Sequence, residues 1–188
     1  QRVAFGVFQG EAYGRLGSRR FAQEIKSFTC DTSVSAANSP TGFEYCRAPL
    51  RSDSSFQDIT LDSVIAVDQA GSPAFTAPFV HGTGTVANTI LNVAGQASTE
   101  AQLPPTPLSS FLEAGLGVDG AVLSDYNTAF VNQYYHSQFD TVDTISAATV
   151  TSMATTLARA LYMLAEGSTT PPAFEADAGV VSDLLACL

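Results

Sequence analysis

Three acids in this chain, Glu11, Asp68 and Asp125, follow short apolar runs that read as β-strands, and His136 stands in an aromatic stretch four residues before Asp140. In open α/β sheets ligands collect outside the carboxyl ends of the strands, which is where these side chains would fall. A Glu, an Asp and a His on one rim are the ingredients of a hydrolytic zinc site, since carboxylates and imidazole bind the metal and a further Glu can deprotonate water. The plainer reading is that they cap strand ends and pair with backbone. Spacing leaves both open. His81, in the Gly-rich run His81-Gly82-Thr83-Gly84-Thr85 with no carboxylate beside it, reads as a surface histidine. That run lacks the third glycine of a dinucleotide fingerprint, and neither a phosphate-cradling G-x-x-x-x-G-K-[ST] nor a G-x-S-x-G elbow occurs. The Leu103-Pro104-Pro105-Thr106-Pro107-Leu108 stretch could serve as a polyproline ligand, but serves equally as a turn between helices.

The elements that must position these groups are legible as alternating periods. Arg2 to Gln9 is short, apolar and rich in Val and Phe, which suits a buried strand ending at Gly10. Ser18 to Phe28 places Phe21, Ile25 and Phe28 on one helical face, with Ser18 as N-cap. Asp62 to Asp68 and Gly120 to Ser124 read as further buried strands. Residues 70 to 84, punctuated by glycine and proline, read as loop with a short hairpin around Phe79 and Val80. Thr85 to Ala97 reads as a helix. Pro107 would open another, Leu108 to Leu116, from its N1 position. Asn127 to Asp140 is aromatic and polar. Ser146 to Ala165 carries an apolar stripe of Val150, Met153, Leu157, Leu161 and Leu164 closed by Gly167, and Asp177 to Leu188 reads as a last helix. Short apolar strands alternating with helices predict an α/β domain with a largely parallel sheet. No internal repeat is visible.

Composition narrows the class. With 188 residues, 45% apolar and only 14% charged, the chain can bury a proper core and is neither a disordered tail nor a small disulfide-stapled scaffold. Its apolar runs are far shorter than the roughly 18 to 20 residues that cross a bilayer. A net charge of -10 repels phosphate backbones, so nucleic acid is a poor partner. Residues 1 to 51 hold seven basic and four acidic groups and the remainder one and fourteen, an asymmetry that serves solubility and selects no function. Cys30 and Cys46 bracket a loop-like stretch from Asp31 to Tyr45, and a disulfide closing it would contribute roughly 3 kcal/mol in an oxidising compartment. Cys187 is then left over, as a free thiol or with a partner in sequence not present here. Together with the start at Gln1, this leads us to expect a piece of something longer.

Four segments carry a specific resemblance: Phe8 to Phe21 (FQGEAYGRLGSRRF), Leu103 to Leu112 (LPPTPLSSFL), Leu123 to Thr141 (LSDYNTAFVNQYYHSQFDT) and Ala158 to Gly167 (ARALYMLAEG). In that order they resemble the nicastrin family, and they span most of the chain. The resemblance implies the glycosylated ectodomain subunit of γ-secretase, whose fold is similar to the co-catalytic zinc aminopeptidases and the transferrin receptor ectodomain. It further implies a mostly parallel mixed sheet flanked by helices, with only the carboxyl-terminal part of the aminopeptidase-like domain in residues 1 to 188 and both the upstream part and the membrane anchor absent. On this pattern Glu11 falls on the peptidase base position, and Ala12 on a position where the peptidases carry a zinc-binding Glu. Asp68 and His136 match two former ligands of different zinc ions. Two ligands aimed at different ions hold zinc weakly.

The resemblance therefore implies a pseudo-peptidase that needs no cofactor or metal and acts as substrate receptor, gatekeeper and assembly subunit. Its partners would be the upstream half of its own domain, presenilin and the other membrane subunits, and the amino termini of type I membrane-protein substrates. It would lie on the extracellular or lumenal face of the membrane. The pocket, for substrate recognition or as a relic of the peptidase site, would comprise Glu11, Tyr13, Gly14, Arg15, Gly17, Ser18, Asp68 and His136. Where nicastrins carry Asp-Tyr-Ile-Gly-Ser, this chain reads Gly14-Arg15-Leu16-Gly17-Ser18, keeping the Gly-Ser pair and losing the acid and the tyrosine. The alternatives are an active zinc aminopeptidase and a purely structural domain whose pocket binds nothing. No N-x-[ST] sequon with a permitted middle residue occurs, so glycans would sit outside this sequence.

Overall fold

The computed structural model describes residues 3–27, 29–40, 45–48, 50–51, 60–75, 77–99 and 102–187. Arg2, Phe28 and Leu188, which the sequence reading assigned to a strand and two helices, lie outside them.

The run before Gly10 is not a strand. Val3, Phe5 and Val7 are exposed and no neighbouring strand pairs with them among the described residues. β-propensity makes a strand only where a partner supplies the ladder, and here the apolar run is anchored instead through Phe8, whose ring meets Phe21 at 5.4 Å and Phe111 at 6.1 Å. The first helix, α1, is Leu16–Ser27, so it begins two residues before Ser18. Within the stretch expected to be loop, β1 (Thr32–Val34) forms a small antiparallel sheet with β2 (Tyr45–Ala48) and β3 (Leu50–Arg51), while residues 41–44 of that stretch lie outside the described residues. The disulfide Cys30–Cys46, with Cα atoms 5.7 Å apart, ties its start to β2.

The central sheet holds β4 (Ser63–Asp68) and β5 (Phe79–His81), followed by α2 (Thr85–Val93) and β6 (Gln96–Ala97). Then come α3 (Pro107–Glu113), β7 (Asp119–Ser124), α4 (Ala147–Glu166) and α5 (Ala178–Leu185). Its order is β4-β7-β5-β6, with β4 parallel to β7, β5 antiparallel to β7 and β6 parallel to β5. It is thus the mixed, mostly parallel sheet expected. Phe79 and Val80 do not form a hairpin: β5 lies against β7, far away in sequence. Likewise α2 stops at Val93, and Gln96 and Ala97, expected in that helix, form β6 beside β5. The Leu108 to Leu116 helix also ends early, because Gly115 and Gly117 take φ of 68° and 69°.

Helices cover both faces, and strand alternation decides which side chain serves which layer. Ala121 and Leu123 of β7 pack with Val86, Ile90, Met153 and Ala160 from α2 and α4. Val122, between them, points the other way to Ala22 of α1 and Leu108 and Phe111 of α3. His81 is not a surface residue: it is 2% exposed on β5, bonded through Nε2 to the Tyr126 carbonyl at 2.8 Å and stacked on the Tyr126 ring. Its glycine neighbours suggested a loop, but the pairing of β5 with β7 draws it inside. Both last helices are capped at their starts, α4 by Ser146 accepting from Thr149 N–H and α5 by Asp177 accepting from Gly179 and Val180 N–H. No helix among the described residues is long and apolar enough to cross a membrane.

Candidate functional site

Glu11 opens a single 3-10 turn, Glu11–Tyr13, set between Gly10 at φ 72° and Gly14 at φ 79°. Chain reversal there brings Glu11 over the start of α1, where the first N–H groups of a helix lack intrahelical acceptors. Its carboxylate meets them: Oε1 accepts from Ser18 N–H at 2.9 Å, and Oε2 from the Ser18 hydroxyl at 2.7 Å. Ser18 is therefore not the N-cap. It is a buried first-turn residue that Glu11 caps from outside, a placement the positive helix end favours. Gly17 is required because the turn folds tightly over it: a Cβ there would lie 2.5 Å from the Gln9 carbonyl oxygen.

The other residues assigned to the pocket divide. Tyr13 is 80% exposed and Ala12 is exposed with only a methyl group to offer. Arg15, at φ 57°, turns toward α3, where Nη2 pairs with Glu113 at 2.6 Å and Nη1 approaches the Ser110 hydroxyl at 3.5 Å. It is thus engaged within the fold.

Asp68 ends β4, and its Oδ1 accepts from Gln69 N–H and from the Tyr135 hydroxyl, each at 2.9 Å. Burial raises its pKa above the ordinary 3.8; the two hydrogen bonds and the charge of His136 oppose that rise, while the charge of Glu11 adds to it. The charges of Glu11 and His136 thus both reach Asp68, although Glu11 follows no strand among the described residues. Tyr135 was not singled out from sequence, though its place beside His136 was a usable signal. Its phenol is pushed strongly up, first by burial and then by the Asp68 charge. It belongs to a ladder of rings running from the core to the rim: His81, Tyr126, Phe130, Tyr135 and His136, with successive centroids 5.8, 5.1, 5.3 and 3.9 Å apart. His136 itself is exposed, at φ 61°. Asp140, four residues on, closes its own loop by accepting from Asn132 at 2.7 Å and Thr144 at 3.1 Å.

Asp125 is 3% exposed at the end of β7, and its Oδ2 accepts from Ser72 N–H at 2.5 Å. Between these two loops lies a cavity of about 210 Å³ lined by Gly71, Ser72, Asp125, Asn132, Tyr135 and Asp140. Among the described residues no three His, Cys, Asp or Glu side chains converge as a metal site. At the rim Ala12 offers only a methyl group, and Glu11 gives one lone pair of each oxygen to Ser18.

Burial lifts the Asp125 pKa as it does that of Asp68. A carboxyl raised in the folded state contributes stability that is whole below the unfolded value of 3.8 and is lost as pH rises through the folded value. Replacing Asp125 by Asn, which keeps an oxygen for Ser72 without the charge, should therefore help the variant relative to the parent increasingly from about pH 4 to about pH 7. Urea denaturation at both pH values measures this. A stability difference that moves the other way would show that Asp125 gains more from its N–H donors than it loses by burial.

A family model described as the nicastrin large lobe matches residues 1–162. Over 209 residues the chain is 26% identical to nicastrin of Arabidopsis thaliana, an alignment covering 100% of this chain and 28% of the relative. Over 216 residues it is 26% identical to nicastrin of Homo sapiens, covering 98% and 28%. A crystal structure titled as the gamma-secretase component nicastrin superposes with a TM-score of 0.74 at 22% identity, covering 95% of this chain and 34% of that one. The chain thus spans a little over a quarter of the length of these curated relatives.

Proposed function

Since this chain belongs to the nicastrin family, we propose that it is part of a non-catalytic, peptidase-like lobe that receives the free amino termini of membrane-protein substrates for a γ-secretase-type intramembrane protease. The observation that carries this reading is the Glu11 carboxylate, locked against the start of α1 by both the Ser18 N–H and the Ser18 hydroxyl. A carboxylate has about four lone-pair sites, and Ser18 takes two of Glu11's, leaving two for a ligand ammonium. The methyl group of Ala12 stands where the peptidases carry a zinc-binding Glu, so the rim binds without cutting. Presenilin and its companion membrane subunits are the partners this reading assigns. The Cys30–Cys46 disulfide supports a lumenal or extracellular setting, where such bonds persist.

The test is binding of the full chain to a short peptide with a free α-amine and to its acetylated twin, followed by fluorescence anisotropy. The free amine should bind about tenfold tighter, the worth of one or two charge-assisted hydrogen bonds, and Glu11→Gln should erase that preference. Equal binding of both peptides would overturn the receptor reading in favour of a purely structural domain. Turnover of aminoacyl chromogenic substrates in added zinc, abolished by a chelator, would overturn the non-catalytic one.

A further inference from the structure

Two serines distant in sequence meet behind Glu11. The Ser18 and Ser110 hydroxyl oxygens lie 2.8 Å apart, with the two residues 0% and 2% exposed. Distance alone leaves the donor open, but chemistry does not. The carboxylate can only accept, so at 2.7 Å the Ser18 proton is committed to Glu11 Oε2, in preference to the 3.4 Å approach of the Arg15 carbonyl. Ser110 must then donate to Ser18. Its oxygen is left to accept, and the donor facing it is Arg15 Nη1 at 3.5 Å, while Nη2 of the same guanidinium is held by Glu113 at 2.6 Å. Every hydroxyl therefore points one way, from α3 through α1 to the carboxylate, an order in which successive hydrogen bonds strengthen one another.

We propose that Ser110, oriented by the Arg15–Glu113 pair, is a positioning residue for Glu11: through Ser18 it decides which lone pairs of that carboxylate face the ligand. The proposal deepens the receptor reading and rests on it. It also gives Arg15, foreign to the usual nicastrin turn, a role within the fold instead of against the substrate. With Ser110 removed, the Ser18 hydroxyl loses its incoming donor, is polarised less and holds Oε2 more weakly.

The test uses the same free and acetylated peptides with the full chain. Ser110→Ala should reduce the preference for the free amine roughly two- to tenfold, the worth of one hydrogen bond, leaving affinity for the acetylated peptide unchanged. Ser110→Thr, which keeps the hydroxyl, should restore it; a residue that merely packs would not distinguish the two peptides. Should Ser110→Ala fail to fold, Arg15→Asn, which tolerates the left-handed backbone at that position, is expected to change the preference in the same direction by a smaller factor. If these variants keep the full preference while Glu11→Gln loses it, the positioning role is overturned and the receptor reading stands. If the parent protein shows no preference at all, the receptor reading falls first.

Discussion

Leu108→Ala is expected to cost about 2–5 kcal/mol, the range for removing a fully buried leucine from a packed core. Leu108 is 0% exposed and forms the contact of α3 with the sheet, alongside Phe111 and Val122. It can lie so close because β7 carries Gly120 beneath it: a Cβ on Gly120 would fall 2.4 Å from Leu108 Cδ1 and 3.0 Å from the Val64 carbonyl oxygen. Gly120→Ala by itself should therefore cost about 1–3 kcal/mol through overpacking. The two changes are complementary in shape. Alanine at 108 vacates the space that a Cβ at 120 needs, so the double variant should be more stable than the sum of the singles by about 0.5–3 kcal/mol. Urea unfolding of all four proteins closes the cycle, and strict additivity would mean that α3 shifts away from the sheet instead of leaving a cavity. Because α3 also carries Ser110 and Glu113, the same cycle reports how firmly the core holds the Glu11 turn.

Loss of the Cys30–Cys46 bond has the second largest expected effect. The bridge closes a separation of 16 residues, for which the chain-entropy model gives roughly 3 kcal/mol, within the usual 2–5 kcal/mol cost of deleting a native disulfide. Strands β1 and β3 are three and two residues long, too short to hold the small sheet by pairing alone, so the penalty should appear there first. Reduction is expected to lower the urea midpoint and to raise the number of titratable thiols from the one exposed Cys187 to three. Hydrogen exchange at residues 32–34 and 45–48 should speed before exchange in β4 or β7. An unchanged midpoint on full reduction would show that the small sheet is held by its packing and that the bond contributes little.

Both effects trace to residues whose roles differ in how far they could be read in advance. Strands β4 and β7, the long helix α4 and the last helix α5 were legible because each is specified by its own neighbours: an unbroken apolar run, a stripe at helical spacing, a glycine at the helix end. Asp68 and Asp125 were found by the same local logic, as acids at strand ends. Ser18 was misplaced by two residues of helix. Its true partner, Glu11, lies seven positions upstream, and only the turn between Gly10 and Gly14 makes that a capping distance.

The remaining misreadings share a cause. Arg2 to Gln9 has a strand's composition but no strand beside it in the described residues, while Gln96 and Ala97 lack a strand's composition and become one because β5 offers an edge. His81 is buried by β7, which follows it by some forty residues, and Tyr135 gains its role from Asp68, 67 positions away. Sequence by itself determined the class of fold, the covalent bridge and the acids that close β4 and β7, since periodicity, turn chemistry and residue type are properties of adjacent positions. Tertiary structure alone decided which acid caps which helix, which histidine is inside and which serine stands behind Glu11. Those outcomes depend on hydrogen bonds and burial between segments far apart in the chain, and nothing in the local pattern of either segment encodes its partner.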